Sequence, residues 1–272
     1  MSEVKARAYA KINLFLRVLS AENGYHTIES LNQSVDLFDE IVLSKTEGDA
    51  VTSDFEGDNS LVVLSRIAEA YSLGGMRLSV KKNIPVGGGL GGSSADAAAA
   101  ALACAELWGL DLKEVKKLVA PLFGDLAFQM TGGTAVARGF GEKVEVLPPL
   151  PDYHVLLCFP SSGVSTKEAY ALSDSTPKGS GDLAALYEAL ARGEKAQEYY
   201  LNDLLPAAKT LNAEIAPLLA AMQDEKALLT GMSGSGSTLF SLYKNRADAL
   251  KKRASLTANA LVVSTIDPFC AK

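Results

Sequence analysis

The sequence predicts an α+β protein with two lobes, and three observations carry this prediction. Residues 4–18 alternate between apolar and polar side chains, as in a β-strand with one buried face. A glycine-rich run, Pro85 to Ala95, leads directly into an alanine-rich segment with the composition of a helix. Elsewhere, strand and helix patterns mix without strict alternation, and three prolines between residues 148 and 151 mark a boundary. We therefore expect an N-terminal domain over residues 1–150 and a C-terminal domain over residues 151–272.

The first elements follow from periodicity. In the strand over residues 4–18 the even positions are apolar, so Lys11 and Asn13 lie side by side on the opposite face. The sequence then predicts a turn over residues 22–26, a strand over 39–44, a helix from Asn59 to Ala70 and a strand over 76–81.

Helix end signals define the elements that follow the glycine-rich run. A helix from Ser93 to Trp108 is closed by Gly109, and a second begins at Asp111, whose spacing to Glu114 is typical of a capping box, and runs to residue 122. The remaining predicted elements are strands over 134–138, 143–146, 154–159 and 260–265, a strand–turn–strand unit over 228–243, helices over 182–192, 196–201, 212–223 and 246–254, and a mobile loop over 173–181.

The composition predicts a globular protein without a nucleic-acid or membrane partner. The chain has 272 residues, of which 48% are hydrophobic, and this is enough for a packed core. The net charge is −6, and the basic residues form only short groups such as Lys81-Lys82, which we expect to be solvated; a nucleic-acid binder needs a basic face. The longest apolar run, Ala97 to Ala105, is too short to span a bilayer, and the charged N-terminal strand is unlike a signal peptide.

The cysteines and histidines form no recognisable metal or disulfide pattern. Zinc sites need closely spaced ligands, and a disulfide framework needs paired cysteines. The residues concerned are scattered: Cys104, Cys158, Cys270, His26 and His154. This usage indicates a reducing compartment, so we expect a cytoplasmic protein. Both a monomer and a homodimer remain open.

The glycine-rich run predicts a phosphate-binding loop. Five of the 23 glycines lie between Gly87 and Gly92. Glycine permits positive φ and a close approach of the backbone to a ligand, and successive N–H groups in such a loop form an anion-binding concavity. The helix that starts at Ser93-Ser94 adds free N–H groups, a favourable dipole and two hydroxyls. A flexible linker is the alternative, but it does not explain the proline and the apolar residues within the run.

Two familiar phosphate motifs do not fit this run. A P-loop needs a lysine after its last glycine, and none follows Gly92. The dinucleotide fingerprint matches Gly87, Gly89 and Gly92, but Pro85 interrupts the approach from the preceding strand, and the residues before Asp111 indicate a helix and a turn where a second strand is needed.

A second glycine cluster lies at residues 231–237. A tight hairpin turn is the simplest interpretation. Because three glycines and three serines are more than a turn requires, we expect this segment to approach the same site as the glycine-rich run.

These segments together resemble the GHMP kinases. The run Pro85 to Ala95 is similar to the phosphate-binding signature of the whole family. Several other motifs resemble the members that act on a cytidyl-methylerythritol in non-mevalonate isoprenoid biosynthesis. These are Ala10–Leu14, Gly24–Ser30, Gly132–Ala135, Gly139–Glu142, Val164–Thr166 with Tyr170, Asn202–Asp203 and Ser233–Thr238.

The resemblance implies a fold, a reaction and cofactors. It implies a two-lobed GHMP-kinase fold, with a ribosomal-S5-like N-terminal domain and a ferredoxin-like C-terminal domain that meet at a cleft. It also implies that the γ-phosphate of ATP, accompanied by Mg²⁺, is transferred to the C2 hydroxyl of the cytidyl-methylerythritol. Ser94 is the first candidate for a protein ligand of Mg²⁺.

The resemblance also implies site residues. Lys11 and Asp125 match the catalytic pair. In the substrate site Tyr25 and Tyr170 sandwich the cytosine, and His26 reads the base edge. The other substrate positions are Asn13, Thr166, Gly234, Ser235 and Gly236. The ATP positions are Pro85, Val86, Gly87, Gly88, Gly89, Leu90, Gly91, Gly92, Ser93, Ser94, Ala95 and, near the adenine, Asn59.

Simpler interpretations remain for the single residues. Lys11 alone could be a solvent-facing charge on a strand, and Asp125 a turn acid. The segment around Asp125 also departs from the family pattern, because Phe123 stands where a glycine is usual and Ala127 where a proline is usual.

Two other functions stay open at this point. The chain could be another GHMP kinase, of the homoserine or mevalonate type, although this leaves the Gly24–His26 segment and Tyr170 without a purpose. It could also be a GHMP-fold sensor that binds a ligand without catalysis, although retention of both Lys11 and Asp125 argues against this.

Overall fold

The computed structural model describes residues 2–22, 25–55 and 59–268, and these contain ten strands and nine α-helices. The strands are β1 (Glu3–Glu22), β2 (Tyr25–Lys45), β3 (Val51–Ser53), β4 (Met76–Lys81), β5 (Thr134–Gly139), β6 (Lys143–Val146), β7 (His154–Phe159), β8 (Leu229–Met232), β9 (Leu239–Tyr243) and β10 (Asn259–Ser264). The helices are α1 (Ser60–Tyr71), α2 (Gly92–Trp108), α3 (Leu112–Val119), α4 (Leu126–Gln129), α5 (Thr166–Ser173), α6 (Leu183–Ala191), α7 (Leu205–Leu211), α8 (Ile215–Met222) and α9 (Arg246–Ser255).

A long hairpin of β1 and β2 organises the first sheet. The two strands pair antiparallel along their whole length, from Glu3 opposite Ser44 to Glu22 opposite Tyr25. On its other edge, β2 pairs with β4 near one end and with β5 near the other, and β3 and β6 complete the sheet. Irregularities in the register of β1, between residues 9 and 11 and between 13 and 15, accompany burial on both faces of this part of the strand.

The prediction of a second strand over residues 39–44 was too short, because β2 begins at Tyr25. Three polar residues in its middle, Asn32, Gln33 and Ser34, obscure the strand pattern. They are nonetheless buried, and their side chains bond to other buried groups, as when Thr134 donates to Gln33 at 2.6 Å. Buried polar residues with partners are compatible with a strand interior, but the partners cannot be seen in sequence.

Helix α2 forms much as predicted. Its C-terminal end is closed by Gly109, which has φ of 64° and whose N–H bonds to the carbonyls of Ala105 and Glu106. Ten residues of α2 are buried, eight of them alanines, and their small side chains belong to the same core as β1 and β2. The next helix, α3, is capped by Asp111, whose carboxylate accepts from the N–H of Lys113 at 2.8 Å.

The second sheet has the strand order β10-β7-β9-β8, and all of its pairs are antiparallel. The predicted strands and helix α9 are confirmed there. The helices between β7 and β8 were predicted less well: α5 and α7 were missed, and the expected helix over 196–201 is only a short 3-10 turn, Gln197–Tyr199. Residues 174–182 contain no helix or strand, and the mobility of the predicted loop over residues 173–181 stays a prediction.

The two sheets share one large hydrophobic core. It contains Ile12 and Leu31 from the first sheet and Leu157 and Phe240 from the second. Backbone bonds also join the two halves: the N–H of Leu16 donates to the carbonyl of Leu201 at 2.8 Å. The domain boundary at residue 150 stays a prediction. Within the described residues, no helix has the length and apolar character needed to cross a bilayer.

Candidate active site

A cavity of about 300 Å³ lies where the glycine-rich run meets β1 and the second sheet. The run from Pro85 to Ser94 forms a continuous part of its wall. The other predicted site residues in the wall are Lys11, Asn13, Asp125, Thr166, Tyr170, Gly234 and Ser235. Residues that are far apart in the sequence therefore converge on one site, as the motifs predicted.

The glycine-rich run has the conformation expected of an anion-binding loop. Gly87, Gly89 and Gly91 have φ values of 70°, 75° and 70°, which glycine adopts without strain. The run ends at α2, and in the described structure no side chain caps this helix end. The dipole of α2 favours an anion at this end of the helix.

The second glycine cluster approaches the same site as the glycine-rich run, as expected, and it also contacts that run. The hydroxyl of Ser233 donates to the carbonyl of Gly89 at 2.8 Å, and the N–H of Thr238 donates to the carbonyl of Gly88 at 3.2 Å. A Cβ atom added at Gly89 would overlap the backbone oxygen of Ser233. The cluster is therefore more than a hairpin turn, because it bonds to the loop and also lines the cavity through Gly234 and Ser235.

Lys11 and Asp125 form an ion pair in the cavity wall. Nζ of Lys11 lies 3.4 Å from Oδ2 of Asp125, and the side chains are 4% and 35% exposed. Asp125 precedes α4 with ordinary dihedral angles of −82° and −9°. The unusual residues Phe123 and Ala127 therefore leave the acid in the site. A solvent-facing role for Lys11 is excluded by its burial.

Asn13 fixes the ammonium group of Lys11. Nζ of Lys11 donates to Oδ1 of Asn13 at 2.5 Å. The amide nitrogen of Asn13 donates to the side-chain oxygens of Ser30 and Asn32, each at 2.8 Å, so the amide has a single satisfied orientation. The expected position of Lys11 and Asn13 on one strand face is confirmed. The contact of Asn13 with substrate stays a prediction.

An aromatic pair lies at the other end of the site. The ring of Tyr170, on α5, stacks on the ring of His26 with centroids 5.1 Å apart, and Nε2 of His26 lies 2.7 Å from Oδ1 of Asp174. Burial, and secondarily the charge of Asp125, raises the pKa of Tyr170 well above its ordinary value, so its hydroxyl stays protonated. Tyr25 begins β2, but its side chain lies outside the described part of the chain.

The other predicted residues take different positions. The hydroxyl of Thr166 lies 2.9 Å from that of Ser235, which joins α5 to the second glycine cluster. His26, Asn59, Ala95 and Gly236 lie outside the cavity wall. Asn59 is next to the wall, because its N–H donates to the hydroxyl of Ser93 at 3.3 Å. Their contacts with ATP and substrate stay predictions.

Sequence reasoning missed four residues of the wall: Leu16, Ile28, Phe55 and Lys82. The expectation that Lys82 is solvated was wrong. Its Nζ lies 2.5 Å from Oδ2 of Asp39 and from Oδ2 of Asp96, two carboxylates that are fully buried. Burial alone would lower the pKa of Lys82, but bonding to these carboxylates outweighs it and raises the pKa above its ordinary value. The only sequence signal was a lysine close to the start of the glycine-rich run.

The structure contains no alternative centre of metal or thiol chemistry in the part of the chain that it describes. No group of three or more His, Cys, Asp or Glu side chains there could hold a metal ion. Burial raises the pKa of the Cys104 thiol to about 12 and raises that of Cys158 too, so neither is suited to act as a thiolate nucleophile. Cys270 lies outside the described residues.

Comparison with known proteins defines the class. The family model described as the GHMP kinases N terminal domain matches residues 59–137, and that described as GHMP kinases C terminal matches residues 179–260. The chain is 38% identical over 262 residues to a 4-diphosphocytidyl-2-C-methyl-D-erythritol kinase of Desulfitobacterium hafniense, covering 92% of this chain and 90% of the relative. This chain belongs to the GHMP kinases.

One more relative and two solved structures are also similar to this chain. A relative from Pseudothermotoga lettingae with the same name is 37% identical over 254 residues, which is 88% of this chain and 92% of the relative. A crystal structure of 4-(cytidine 5'-diphospho)-2C-methyl-D-erythritol kinase superposes with a TM-score of 0.81 at 30% identity, covering 96% of this chain and 99% of that one. A homoserine kinase from Cytophaga hutchinsonii, at 20% identity and a TM-score of 0.72 over 98% and 95% of the two chains, shares the fold. The two-lobed GHMP-kinase fold expected from the motifs is confirmed.

Proposed function

We propose that this chain is the kinase that transfers the γ-phosphate of ATP to the C2 hydroxyl of 4-diphosphocytidyl-2-C-methyl-D-erythritol, giving the 2-phosphate and ADP in non-mevalonate isoprenoid biosynthesis. GHMP kinases use ATP as their phosphate donor. The observation that carries the proposal is the Lys11–Asp125 pair, 3.4 Å apart and in the wall of the cavity formed by the glycine-rich run. The shared name of the two relatives supports the choice of acceptor.

The arrangement suits phosphoryl transfer. The transition state is loose, with charge spread over the phosphoryl oxygens, so catalysis depends on positioning and electrostatics. The glycine-rich run binds the triphosphate through backbone N–H groups. Asp125 accepts the proton of the acceptor hydroxyl, and Lys11 stabilises developing negative charge and holds Asp125 in position. Asn13 keeps the ammonium of Lys11 directed at this point.

The aromatic end of the cavity binds the cytidine. The ring of Tyr170 offers a stacking face, Tyr25 is the second stacking residue, and His26 contacts the base edge. Thr166, Gly234 and Ser235 contact the rest of the acceptor from the second sheet and α5. This division places the acceptor between Tyr170 and the Lys11–Asp125 pair, with ATP on the other side of that pair.

Mg²⁺ would accompany ATP and would help to neutralise the charge of its phosphates. Ser94 lies in the wall at the start of α2 and supplies a hydroxyl oxygen, the hard ligand type that Mg²⁺ prefers. Mg²⁺ retains several waters and needs few protein ligands, which agrees with a site rich in backbone donors and poor in carboxylates. The enzyme acts in the cytoplasm, as a monomer or a homodimer, and without nucleic acid, in agreement with its net charge of −6.

A coupled assay of ADP release tests the function. Purified protein is incubated with Mg·ATP and, in separate reactions, the cytidyl-methylerythritol, homoserine or mevalonate. We expect release with the first acceptor alone. Release with homoserine or mevalonate instead would indicate another GHMP kinase. Binding of ADP without turnover of any acceptor would indicate a ligand sensor.

A further inference from the structure

We propose that Lys82 is a positioning residue for the triphosphate of ATP: it holds both ends of the glycine-rich run in place by binding Asp39 and Asp96 together, and it does not itself neutralise phosphate. The inference deepens the proposed function, on which it rests for the identity of the nucleotide. It assigns a task to a cavity residue that neither the motifs nor the catalytic pair explains.

The contacts of Lys82 join three segments at the base of the loop. Asp39 belongs to β2, and besides Lys82 it accepts hydrogen bonds from the backbone N–H groups of Asn83 and Ile84, at 2.5 and 2.8 Å. These two residues lead into the glycine-rich run. Asp96 belongs to α2, which leaves the run. Lys82 therefore ties the chain that enters the loop and the helix that leaves it to the same strand.

The charges exclude Lys82 as a free counter-ion for phosphate. Its one positive charge lies 2.5 Å from each of two buried carboxylates, so the three groups together carry a formal charge of −1. A lysine that binds phosphate, as in a P-loop, must present an unbalanced charge to it. Removing Lys82 would take away the cation that Asp39 and Asp96 share, and repulsion between the two buried carboxylates would push the loop ends apart.

The chain offers a matched control in the neighbouring residue. Lys81 is the last residue of β4, directly opposite Glu40 in β2, and its Nζ is 2.7 Å from a carboxylate oxygen of that residue. This pair is exposed, with side-chain exposures of 71% and 51%. Lys81→Met and Lys82→Met thus remove the same charge from adjacent positions, but only the second touches the base of the loop.

The experiment compares Lys82→Met, Lys81→Met, Asp96→Asn and the double variant Lys82→Met/Asp96→Asn. Calorimetric titration with Mg·ADP gives the Kd of the nucleotide, and steady-state assays give KM for ATP and for the cytidyl acceptor. We expect Lys82→Met to raise the Kd and the KM for ATP on the order of 10- to 100-fold, because a displaced loop misplaces its donors, with KM for the acceptor within about 2-fold. Lys81→Met should match the wild type.

The double variant tests whether repulsion between the two carboxylates causes the loss of affinity. With one carboxylate charge also removed, it should recover much of the nucleotide affinity lost in Lys82→Met. If it binds Mg·ADP no better than Lys82→Met, or if both substrates lose affinity equally, the proposal is wrong. Should Lys82→Met not fold, Asp96→Asn provides the test, since an unchanged Kd for Mg·ADP in that variant would overturn the proposal. Because the titration needs no acceptor, its outcome is independent of the assay that tests the proposed function.

Discussion

At the residue scale, the two members of the proposed catalytic pair, Lys11 and Asp125, differ in burial. Lys11 is almost completely buried and bonds to Asn13, whereas about a third of the Asp125 side chain remains exposed toward the cavity. A buried ammonium held by fixed partners needs no reorganisation when charge develops, and this is the arrangement that lowers a barrier. The exposed carboxylate can meet an acceptor hydroxyl. This geometry supports the proposed division, in which Lys11 has the electrostatic task and Asp125 takes the proton.

Replacing Asp125 by asparagine tests that division. The amide has nearly the same shape but cannot take a proton at neutral pH, so we expect kcat to fall by about 100-fold or more. The Kd for Mg·ADP, measured by calorimetry, should stay within about 2-fold of the wild type because the loop is untouched. A variant with near-normal turnover would remove Asp125 from the role of base.

Site residues that stand in sequence motifs could be identified from the sequence. A residue whose role depends on partners far away in the sequence could not. Lys11, Asp125 and Tyr170 stand in motifs, so their convergence on one cavity was predictable from resemblance. The position of Lys82 in the cavity wall was not predictable, because its role depends on Asp39 and Asp96, which lie 43 and 14 positions away. A lysine beside another lysine has the appearance of a solvated pair until the fold shows which of the two points inward.

At the element scale, the glycine-rich run depends on close packing as much as on positive φ. Gly87 and Gly89 have nearly the same φ, but their surroundings differ. A Cβ at Gly87 would have no neighbour within 4 Å, whereas one at Gly89 would overlap the backbone of Ser233. The two positions therefore separate the conformational need for glycine from the need for space.

We expect Gly87→Ala to lower the free energy of unfolding by about 1 kcal/mol, the cost of positive φ in a residue with a side chain. Gly89→Ala should lower it by a further 1–3 kcal/mol or so, because the second glycine cluster must move. Urea unfolding measures both. Gly89→Ala should also raise KM for ATP more than Gly87→Ala does. Equal stabilities of the two variants would show that the second cluster does not confine the loop.

Elements with local signals were predicted best. Helices α2 and α3 carry their own end signals in Gly109 and Asp111, and the observed capping confirms them. The first part of β2 was missed because Asn32, Gln33 and Ser34 obscure its pattern, and their stabilising partners come from β1 and β5. Tertiary contacts that override local composition are the general reason for such errors.

At the scale of the whole molecule, the two sheets share their main core, and a second buried cluster on the second sheet also includes Leu16 and Val18 of β1. One cluster of buried side chains includes Ile12 and Leu31 as well as Leu157 and Phe240. The carboxylate of Asp203, in the C-terminal half of the chain, accepts a hydrogen bond from the N–H of Val18 in β1 at 2.9 Å. The lobes predicted from the three prolines are thus joined by both apolar packing and buried hydrogen bonds.

We therefore expect the protein to unfold in one cooperative transition. Differential scanning calorimetry should give a calorimetric enthalpy equal to the van't Hoff enthalpy. Asp203→Ala should lower Tm without splitting the transition, because it leaves a buried N–H without its acceptor but leaves the shared core intact. Two resolved transitions in the wild type would show that the lobes are independent.

The hydrogen bond from Ser233 to the glycine-rich run has a consequence for folding during translation. Gly89 and Ser233 are separated by 144 positions, so the ribosome makes the loop long before it makes the serine that bonds to it. A nascent chain that already exposes residues 85–95 still lacks that support, and it gains a finished nucleotide site only when the strand pair around residue 233 has emerged. We therefore expect competence to bind ATP to be acquired late in translation, after nearly the whole polypeptide has been made.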